Sequence, residues 1–173
     1  MQPSPEIRET EARSIDRIGS LVNELATRIS AMGTGDRAEL RRGDPDDPGG
    51  PAFWKLVVSH LAPRGFIDLD APHSATLSKW VVILAALAEL EGLHNPRAHL
   101  GRALAEAGYS ELRLTRLLRS EGSQLLDLVR QMVRFLASKA VDVDVADIAR
   151  LVLSDGDWIR HFIASRYYAT QET

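Results

Sequence analysis

The sequence predicts an all-α protein, a single-domain bundle of about eight helices. Three observations lead to this prediction. Apolar residues recur three and four positions apart over most of the 173 residues, which is the spacing of a buried helix face. Glycine, proline and aspartate separate these segments at short intervals, as the short connections of a helix bundle require. Period-two alternation is confined to VDVDV at 141–145, and helical patterns flank it on both sides.

Composition restricts the class of protein. Hydrophobic residues make up 45% of the chain and charged residues 26%, as in ordinary globular domains large enough to bury a core. The absence of cysteine excludes disulfides, thiolate metal sites and thiol nucleophiles, and fits a cytoplasmic protein. The polar start MQPSPEIRETEARSID lacks the features of a signal peptide. The longest apolar run, Trp80 to Ala88, is too short to span a membrane.

Residues 1–32 are predicted to form an N-terminal helix, frayed up to about residue 12. Its apolar residues alternate steps of three and four, which produces a narrow packing seam. They are Ile15, Ile18, Val22, Leu25, Ile29 and Met32. We expect the helix to pack on the domain or on a neighbouring molecule, and Gly33 and Gly35 to end it. Residues 33–173 form the main helical domain.

A short helical turn, DRAELRRG, comes next and places Arg37, Arg41 and Arg42 close together. The following segment, DPDDPGGP, has the composition of a turn. Its aspartates lack the further oxygen ligands and the closing glutamate of a calcium loop. We therefore interpret them as solvated turn residues.

The later helices are predicted from their start and stop signals. Pro51 begins one helix, Ser74 caps a second that is apolar almost all round and therefore central, and a third runs from Pro96 to Ala107 before Gly108. The start signals of the remaining helices are Ser110, Gly122 with Ser123, Asp142 or Asp144, and Asp157.

Two amphipathic helices are predicted between Tyr109 and Lys139. In the first, one side is formed by Leu112, Leu114, Leu117 and Leu118, and another by Arg113, Arg116 and Arg119. In the second, the buried stripe is Leu125, Leu128, Val129, Met132 and Leu136. Its opposite face carries Asp127, Arg130, Gln131, Arg134 and Ser138.

This part of the chain concentrates positive charge. Residues 97–139 hold eight basic and four acidic side chains, a balance of +4, whereas 140–157 hold one basic and five acidic, a balance of −4. Guanidinium groups bind phosphate well, so a local nucleic-acid site is possible on a chain whose net charge is −3. From the spacing alone, charged residues that solvate amphipathic helices are the better explanation.

The sequence contains no recognisable catalytic or phosphate-cradling motif, so we predict a non-enzymatic protein without metal or cofactor. His94 and His99 are close in sequence, but their spacing and the intervening Pro96 put them on different faces of any helix. His60 and His161 lie among apolar residues and are predicted to be packed, hydrogen-bonded rings. Helix-start positions explain the aspartates at 142, 144 and 147 better than metal ligation.

The order of several short motifs resembles a known family. These are GTGDRAELRRG, PAFWKLV after an acidic loop, LGRAL, SELRLTRLLRS, and a final segment ending in IRHFIASRYY. Together they resemble the CasB family, the small subunits of the type I-E CRISPR surveillance complex Cascade. The resemblance runs from about Gly33 to Tyr168.

The resemblance implies a non-enzymatic, all-helical subunit that pairs with a second copy of itself and with other Cascade subunits. It implies a basic surface that holds guide RNA or the target strand on one side and the displaced DNA strand on the other. The family's motifs fall on Arg37, Arg41 and Arg42, on Gly101 and Arg102, and on Arg113. By charge and spacing we add Arg116, Arg119, Arg130, Arg134 and Lys139. Glu39 lies within the first cluster, where more positive charge would strengthen a phosphate site.

Two alternatives remain open from the sequence. The first is a helical scaffold whose arginines contact partner proteins and never touch nucleic acid. The second is a small hydrolase with an unrecognised constellation, in which His94, His99 and nearby carboxylates take part.

Overall fold

The computed structural model describes residues 4–47 and 49–173, with the side chains at 7, 8, 11, 12 and 14–16 excepted. This part of the chain is all-α, as predicted, with nine α-helices where about eight were expected. They are α1 Pro5–Ser30, α2 Thr34–Arg41, α3 Pro51–Leu56, α4 Ser74–Glu89, α5 Leu100–Glu106, α6 Glu111–Arg119, α7 Gly122–Lys139, α8 Val145–Leu153 and α9 Trp158–Gln171. A π-helical segment, Val57–Leu61, and a 3-10 turn, Ala62–Arg64, continue α3. The VDVDV segment contributes one isolated bridge, between His94 and Val143.

The N-terminal helix α1 packs on the domain itself, against α8 and α4. Its seam is buried at Leu25 and Ile29 as predicted, and Ile15 lies outside the described side chains. Helical backbone extends from Pro5. The fraying expected up to residue 12, and the division at residue 32, stay predictions.

Helix α4 forms the centre of the fold, as its composition predicts. Its run from Trp80 to Ala88 is buried throughout, and the helix contacts α1, α2, α7 and α8. The predicted cap is displaced by one residue. Ser74 is the first helical residue and His73 occupies the N-cap position, without a side-chain hydrogen bond.

Helix α5 begins at Leu100, so the predicted start at Pro96 is wrong. Hydrogen bonds hold the preceding segment in a turn, in which Ala98 N donates to the Asn95 carbonyl at 3.0 Å, and tie it to the segment before α8. The Val143 carbonyl accepts a bond from Asn95 N at 3.0 Å, and Val143 N donates to the Leu93 carbonyl at 2.9 Å. The carboxylate of Asp147 then accepts the N–H of Leu100 at 3.0 Å, which satisfies a donor of the first turn.

The predicted caps of α6 and α8 are confirmed. Ser110 Oγ accepts the N–H of Arg113, and Asp144 Oδ1 accepts the N–H of Ala146 at 3.0 Å. Asp157 occupies the N-cap position of α9 without a side-chain bond. Asp142, the alternative cap, instead accepts a bond from Asn95 Nδ2 at 3.1 Å.

One residue of the predicted apolar face of α6 is misplaced. Leu114 and Leu117 are buried, but Leu112 is 73% exposed. Positions two apart on a helix differ by about 200°, so Leu112 cannot share a side with Leu114. In α7 the stripe is confirmed at Leu125, although Leu128 is only half-buried. No helix in the described part of the chain is long and apolar enough to cross a membrane.

Candidate nucleic-acid interface

The ten predicted phosphate-binding residues do not lie on one continuous stripe. Nine of them belong to α2, α5, α6 and α7 and Arg42 follows α2, and the fold collects five of the ten into two groups on different sides of α7. The remaining five lie outside both groups; they are Arg37, Arg42, Arg102, Arg116 and Arg119.

The first group lies where α2, α4 and α7 meet. Arg41, Arg130 and Arg134 line one shallow crevice there, together with the side chain of Glu89. Arg41 and Arg134 are exposed and Arg130 is half-buried. We call Arg41, Arg130 and Arg134 the α2–α7 cations. Arg130 and Arg134 are four residues apart on α7, and Arg41 joins them because α2 and α7 both pack against α4.

The second group surrounds two aromatic rings. Tyr109 and Phe135 contact each other at 5.3 Å between ring centroids. The guanidinium of Arg113 lies 5.0 Å from the Tyr109 centroid and 5.2 Å from the Phe135 centroid. The ammonium of Lys139 lies 5.6 Å from the same Phe135 ring, within the range of a cation–π contact. We call Tyr109, Arg113, Phe135 and Lys139 the aromatic–cation cluster.

Arg116 extends this cluster toward solvent. Burial raises the pKa of the Tyr109 phenol, and the positive charges of Arg113 and Arg116 oppose that rise. Arg116 follows Arg113 by three residues on α6, so the two side chains share a face of that helix. Arg116 is exposed.

The two groups lie on opposite flanks of α7. Arg130 and Lys139 are nine residues apart, which is a rotation of about 180° in a helix of 3.6 residues per turn. An exposed ridge that includes Gln131 and Ser138 separates them. The helix thus presents positive charge in two directions.

Two of the predicted residues donate hydrogen bonds to acceptors within the protein. Arg37 Nη1 donates to the carbonyls of Met32 at 2.7 Å and Ser30 at 3.0 Å, which closes the C-terminal end of α1. Arg102 Nε donates to Glu106 Oε1 at 2.6 Å. Within the described residues, Arg102 is the only one of the ten that forms an ion pair with a carboxylate.

The carboxylate of Glu39 has a structural partner of its own. Its Oε2 accepts the N–H of Ala52 at 2.6 Å and so satisfies the first turn of α3 across the intervening loop. This contact explains the glutamate among the arginines of α2. The loop itself is held by an aspartate turn, in which Asp44 Oδ1 accepts the N–H of Asp46 at 2.9 Å, as predicted.

A buried polar network lies between α1, α5 and α8. Asp144 and Asp147 are buried, and Arg150 Nη1 is 2.9 Å from Asp147 Oδ1 and 3.8 Å from Asp144 Oδ2. His99 Nδ1 lies 3.4 Å from Asp147 Oδ2. Sequence patterns alone do not predict this network, because His99 and the aspartates that it meets are about 50 residues apart along the chain.

Burial raises the pKa of Asp144 to about 6, and the charge of Asp147 adds to the rise; the Ala146 N–H, Arg150 and His99 oppose it. Among the described residues, His99, Asp144 and Asp147 are the one group whose ligand atoms, all within 4.8 Å, could hold a metal ion. The guanidinium of Arg150 supplies positive charge at this place already. We therefore interpret the network as a structural tie between α5 and α8.

The two histidines that were predicted to be packed rings differ from each other. His60 is half-buried, and its Nδ1 lies 3.1 Å from Glu24 Oε1, as expected of a packed, hydrogen-bonded ring. His161 is exposed, so the prediction of a packed ring is wrong there. Its position on α9 faces away from the Ile159 and Ile163 side that enters the core.

A groove of about 910 Å³ lies at the far end of α7 from the aromatic–cation cluster. Its carboxylates are Asp44, Asp46, Glu121, Asp127, Asp155 and Asp157, and its cations are Lys79, Arg130 and Arg160. The guanidinium of Arg160 donates hydrogen bonds to the carbonyls of Leu118 and Ser120. The excess of negative charge makes this groove unsuited to phosphate.

The fold and surface define the class of protein: a small all-helical chain that, in the part described by the structure, presents cations on two sides of one helix. A model of the family described as CRISPR-associated protein Cse2 matches residues 36–168. The match covers most of the chain, so the protein belongs to the Cse2 family. The resemblance to CasB, the type I-E small subunit, is thereby confirmed.

A solved structure supports the same fold. One chain of the crystal structure of E. coli Cascade bound to a PAM-containing dsDNA target is similar with a TM-score of 0.65 and 22% sequence identity. The similarity covers 86% of this protein and 95% of that chain. A comparison with curated proteins returned no match.

Proposed function

We propose that this protein is a non-catalytic subunit of a type I-E CRISPR surveillance complex, in which it contacts nucleic-acid backbones and stabilises the R-loop. Its partners are guide RNA, target and displaced DNA strands, other Cascade subunits and a second copy of itself. The observation that carries the proposal is that two groups of cations lie on opposite flanks of α7. None of these cations forms an ion pair with a described carboxylate. Family membership and the likeness to a chain of DNA-bound Cascade support it.

The chemistry of the two groups suits this task. In RNA-guided recognition base pairing reads the sequence, so the protein needs only to neutralise backbones and hold strands apart. Phosphate contacts position a nucleic acid without reading bases. Guanidinium groups are always charged and donate in a planar fork, which fits phosphate oxygens.

The opposite orientation of the groups suggests a division of labour. The α2–α7 cations and the aromatic–cation cluster face different directions, so each contacts a different strand. Strand exchange in an R-loop is nearly balanced in free energy. A few added phosphate contacts on either side are then enough to favour the open form.

The ten candidates do not contribute equally. Arg37 is bound to two carbonyls and Arg102 to Glu106, so each must give up a contact before it meets a phosphate. Arg42, Arg116 and Arg119 are exposed and bear their charge toward solvent. We rank these three with the two groups on α7 as the main contributors.

The absence of catalysis also belongs to the proposal. His94 Nδ1 accepts the N–H of Val145 at 3.2 Å while Nε2 lies 2.7 Å from Asn23 Oδ1. Both ring nitrogens are therefore used by the protein. Asp147 likewise binds Leu100 N and Arg150. These contacts argue against the hydrolase alternative.

A paired charge reversal tests the function. Arg113→Glu with Arg116→Glu should weaken binding of single-stranded DNA or RNA and flatten its salt dependence, by about 0.7 in the log–log slope for each lost phosphate contact. The matched control reverses two exposed arginines outside both groups, Arg28→Glu with Arg97→Glu. It changes net charge equally and should leave the slope near that of the unmodified protein.

An unchanged slope in the first variant would remove Arg113 and Arg116 from the interface. The scaffold alternative makes a different prediction. The protein would then join the other subunits and a guide RNA in a pull-down, yet no charge reversal would alter the affinity of the assembled complex for target DNA.

A further inference from the structure

The aromatic–cation cluster contains two residues that carry no charge and that the phosphate-binding motifs do not include. Tyr109 and Phe135 are in contact, and two cations lie near the Phe135 ring: Arg113 at 5.2 Å and Lys139 at 5.6 Å from its centroid. One aromatic pair therefore places two positive side chains from two different helices, α6 and α7, on a common surface.

The rings themselves are held in place. Tyr109 is 4% exposed, its N–H donates to the Leu104 carbonyl at 2.9 Å, and its carbonyl accepts the hydroxyl of Tyr167 from α9. Phe135 is half-buried and packs against the core. The support beneath the two cations is therefore a fixed part of the fold.

Fixing a long cationic side chain matters for binding. A free arginine or lysine on a surface samples many rotamers, and this freedom is lost when the group meets a phosphate. An aromatic face attracts a cation without consuming its hydrogen-bond donors. A guanidinium that rests on rings thus loses less freedom on binding and keeps its N–H groups for phosphate oxygens.

We propose that Phe135, supported by Tyr109, is a positioning residue that holds Arg113 and Lys139 ready for the phosphates of a nucleic-acid backbone. This inference rests on the proposed function, because it assigns the arrangement of one of its two cation groups. Phe135 itself contacts no phosphate. Its effect reaches the nucleic acid only through the two cations.

The test compares Phe135→Leu with Phe135→Tyr in the full chain. Leucine keeps an apolar side chain against the core but has no aromatic face, whereas tyrosine keeps the ring.

The probe is a fluorescein-labelled single-stranded DNA oligonucleotide, and anisotropy gives its affinity from 50 to 200 mM salt. We expect Phe135→Leu to bind about 3- to 10-fold more weakly with an unchanged salt slope, since both charges remain. Phe135→Tyr should bind within about 2-fold of the unmodified protein.

A double-mutant cycle separates positioning from general damage to the fold. In an Arg113→Gln, Lys139→Gln background, Phe135→Leu should have almost no further effect, because there is no cation left to hold. A merely structural role would reduce affinity equally in both backgrounds. The matched control is Phe66→Leu. The Phe66 ring lies outside the cluster, and its centroid is 5.2 Å from the guanidinium of Arg17. It should leave affinity unchanged.

The outcomes distinguish a failure of the positioning role of Phe135 from a failure of the proposed nucleic-acid binding. If Arg113→Gln, Lys139→Gln reduces the salt slope while Phe135→Leu binds normally, the positioning role is wrong and the proposed function stands. If the charge variant leaves affinity and slope unchanged, the cluster is not part of the interface and both statements about it are overturned.

Discussion

Gly101 lies directly against the main chain of α9 at Ile163. A methyl group at Gly101 would overlap the Ile163 carbonyl oxygen and would come within 2.9 Å of Arg166 Cβ and Tyr167 N. Helices α5 and α9 can therefore approach this closely only with glycine at the crossing. The glycine of the family's glycine–arginine motif is thus a packing residue, and it fixes the helix on which Arg102 stands.

We predict that Gly101→Ala destabilises the fold by about 3 kcal/mol or more, because the overlap is with backbone that cannot move aside. Urea unfolding measures the change. Gly35→Ala is the matched control, since Gly35 is also the second residue of its helix and an added Cβ meets nothing within 4 Å. That variant should be neutral or stabilised by up to about 1 kcal/mol. Equal stability of the two variants would contradict the close crossing.

The contact between Glu39 and Ala52 gives a second prediction. Glu39→Ala should lower the free energy of unfolding by about 1.5 kcal/mol, because a charge-assisted hydrogen bond to the first turn of α3 is lost. Glu39→Gln keeps an acceptor oxygen and should lose less than half as much. Thermal unfolding of both variants checks the order, and a larger loss in Glu39→Gln would show that the bond is not formed.

The raised pKa of Asp144 predicts an unusual pH dependence. Burial raises it from 3.8 to about 6, so between these values the folded protein binds more protons than the unfolded chain. The contribution of the Asp144 carboxyl to the free energy of unfolding is therefore full below pH 3.8 and is lost as the pH rises through about 6. Asp144→Asn, which preserves the cap on Ala146, should remove this dependence of the unfolding free energy on pH. The variant should be no less stable than the unmodified protein at pH 7. Chemical unfolding from pH 4 to 7 measures it, and parallel curves for the two proteins would refute the assignment.

His94 contributes in the opposite sense. Burial lowers its pKa below 6.5, so its contribution to stability is full above pH 6.5 and is lost as the pH falls through the lowered value. The acceptor role of Nδ1 toward Val145 and the contact of Nε2 with Asn23 predict a neutral ring with the proton on Nε2 at pH 7. Nitrogen-15 NMR reports the tautomer directly. A proton on Nδ1 would be incompatible with the Val145 contact.

The two cation groups should act independently, because they lie on opposite flanks of α7. Arg130→Gln with Arg134→Gln should reduce the salt slope of binding in the assembled complex, and Arg113→Gln with Lys139→Gln should reduce it again by a similar amount. Slopes measured for each pair and for all four changes test this. A combined effect no larger than either pair alone would mean that both groups serve one strand contact.

The amino-acid sequence was sufficient to predict the all-α class, most of the buried faces of α1, α4 and α7, the cap at Ser110 and the family, and it left Asp142 and Asp144 both open as the cap of α8. These features are local. A helix face needs only the 3.6-residue period, and a cap needs only the residue at the start of the first turn. One error was a local pattern overruled by partners elsewhere, since Pro96 starts no helix where Val143 and Asp147 hold its segment. The error at Leu112 was of another kind, because helical geometry alone puts that residue about 200° from Leu114.

The tertiary structure alone decided which of the predicted cations meet. Arg41 joins Arg130 and Arg134 because α2 and α7 both pack on α4, and Arg113 lies near Lys139 because both contact the Phe135 ring. Helical periodicity fixes the direction of a side chain about its own axis, but the neighbour it meets depends on how the helices cross. Those crossings are set by packing contacts such as Gly101 against Ile163.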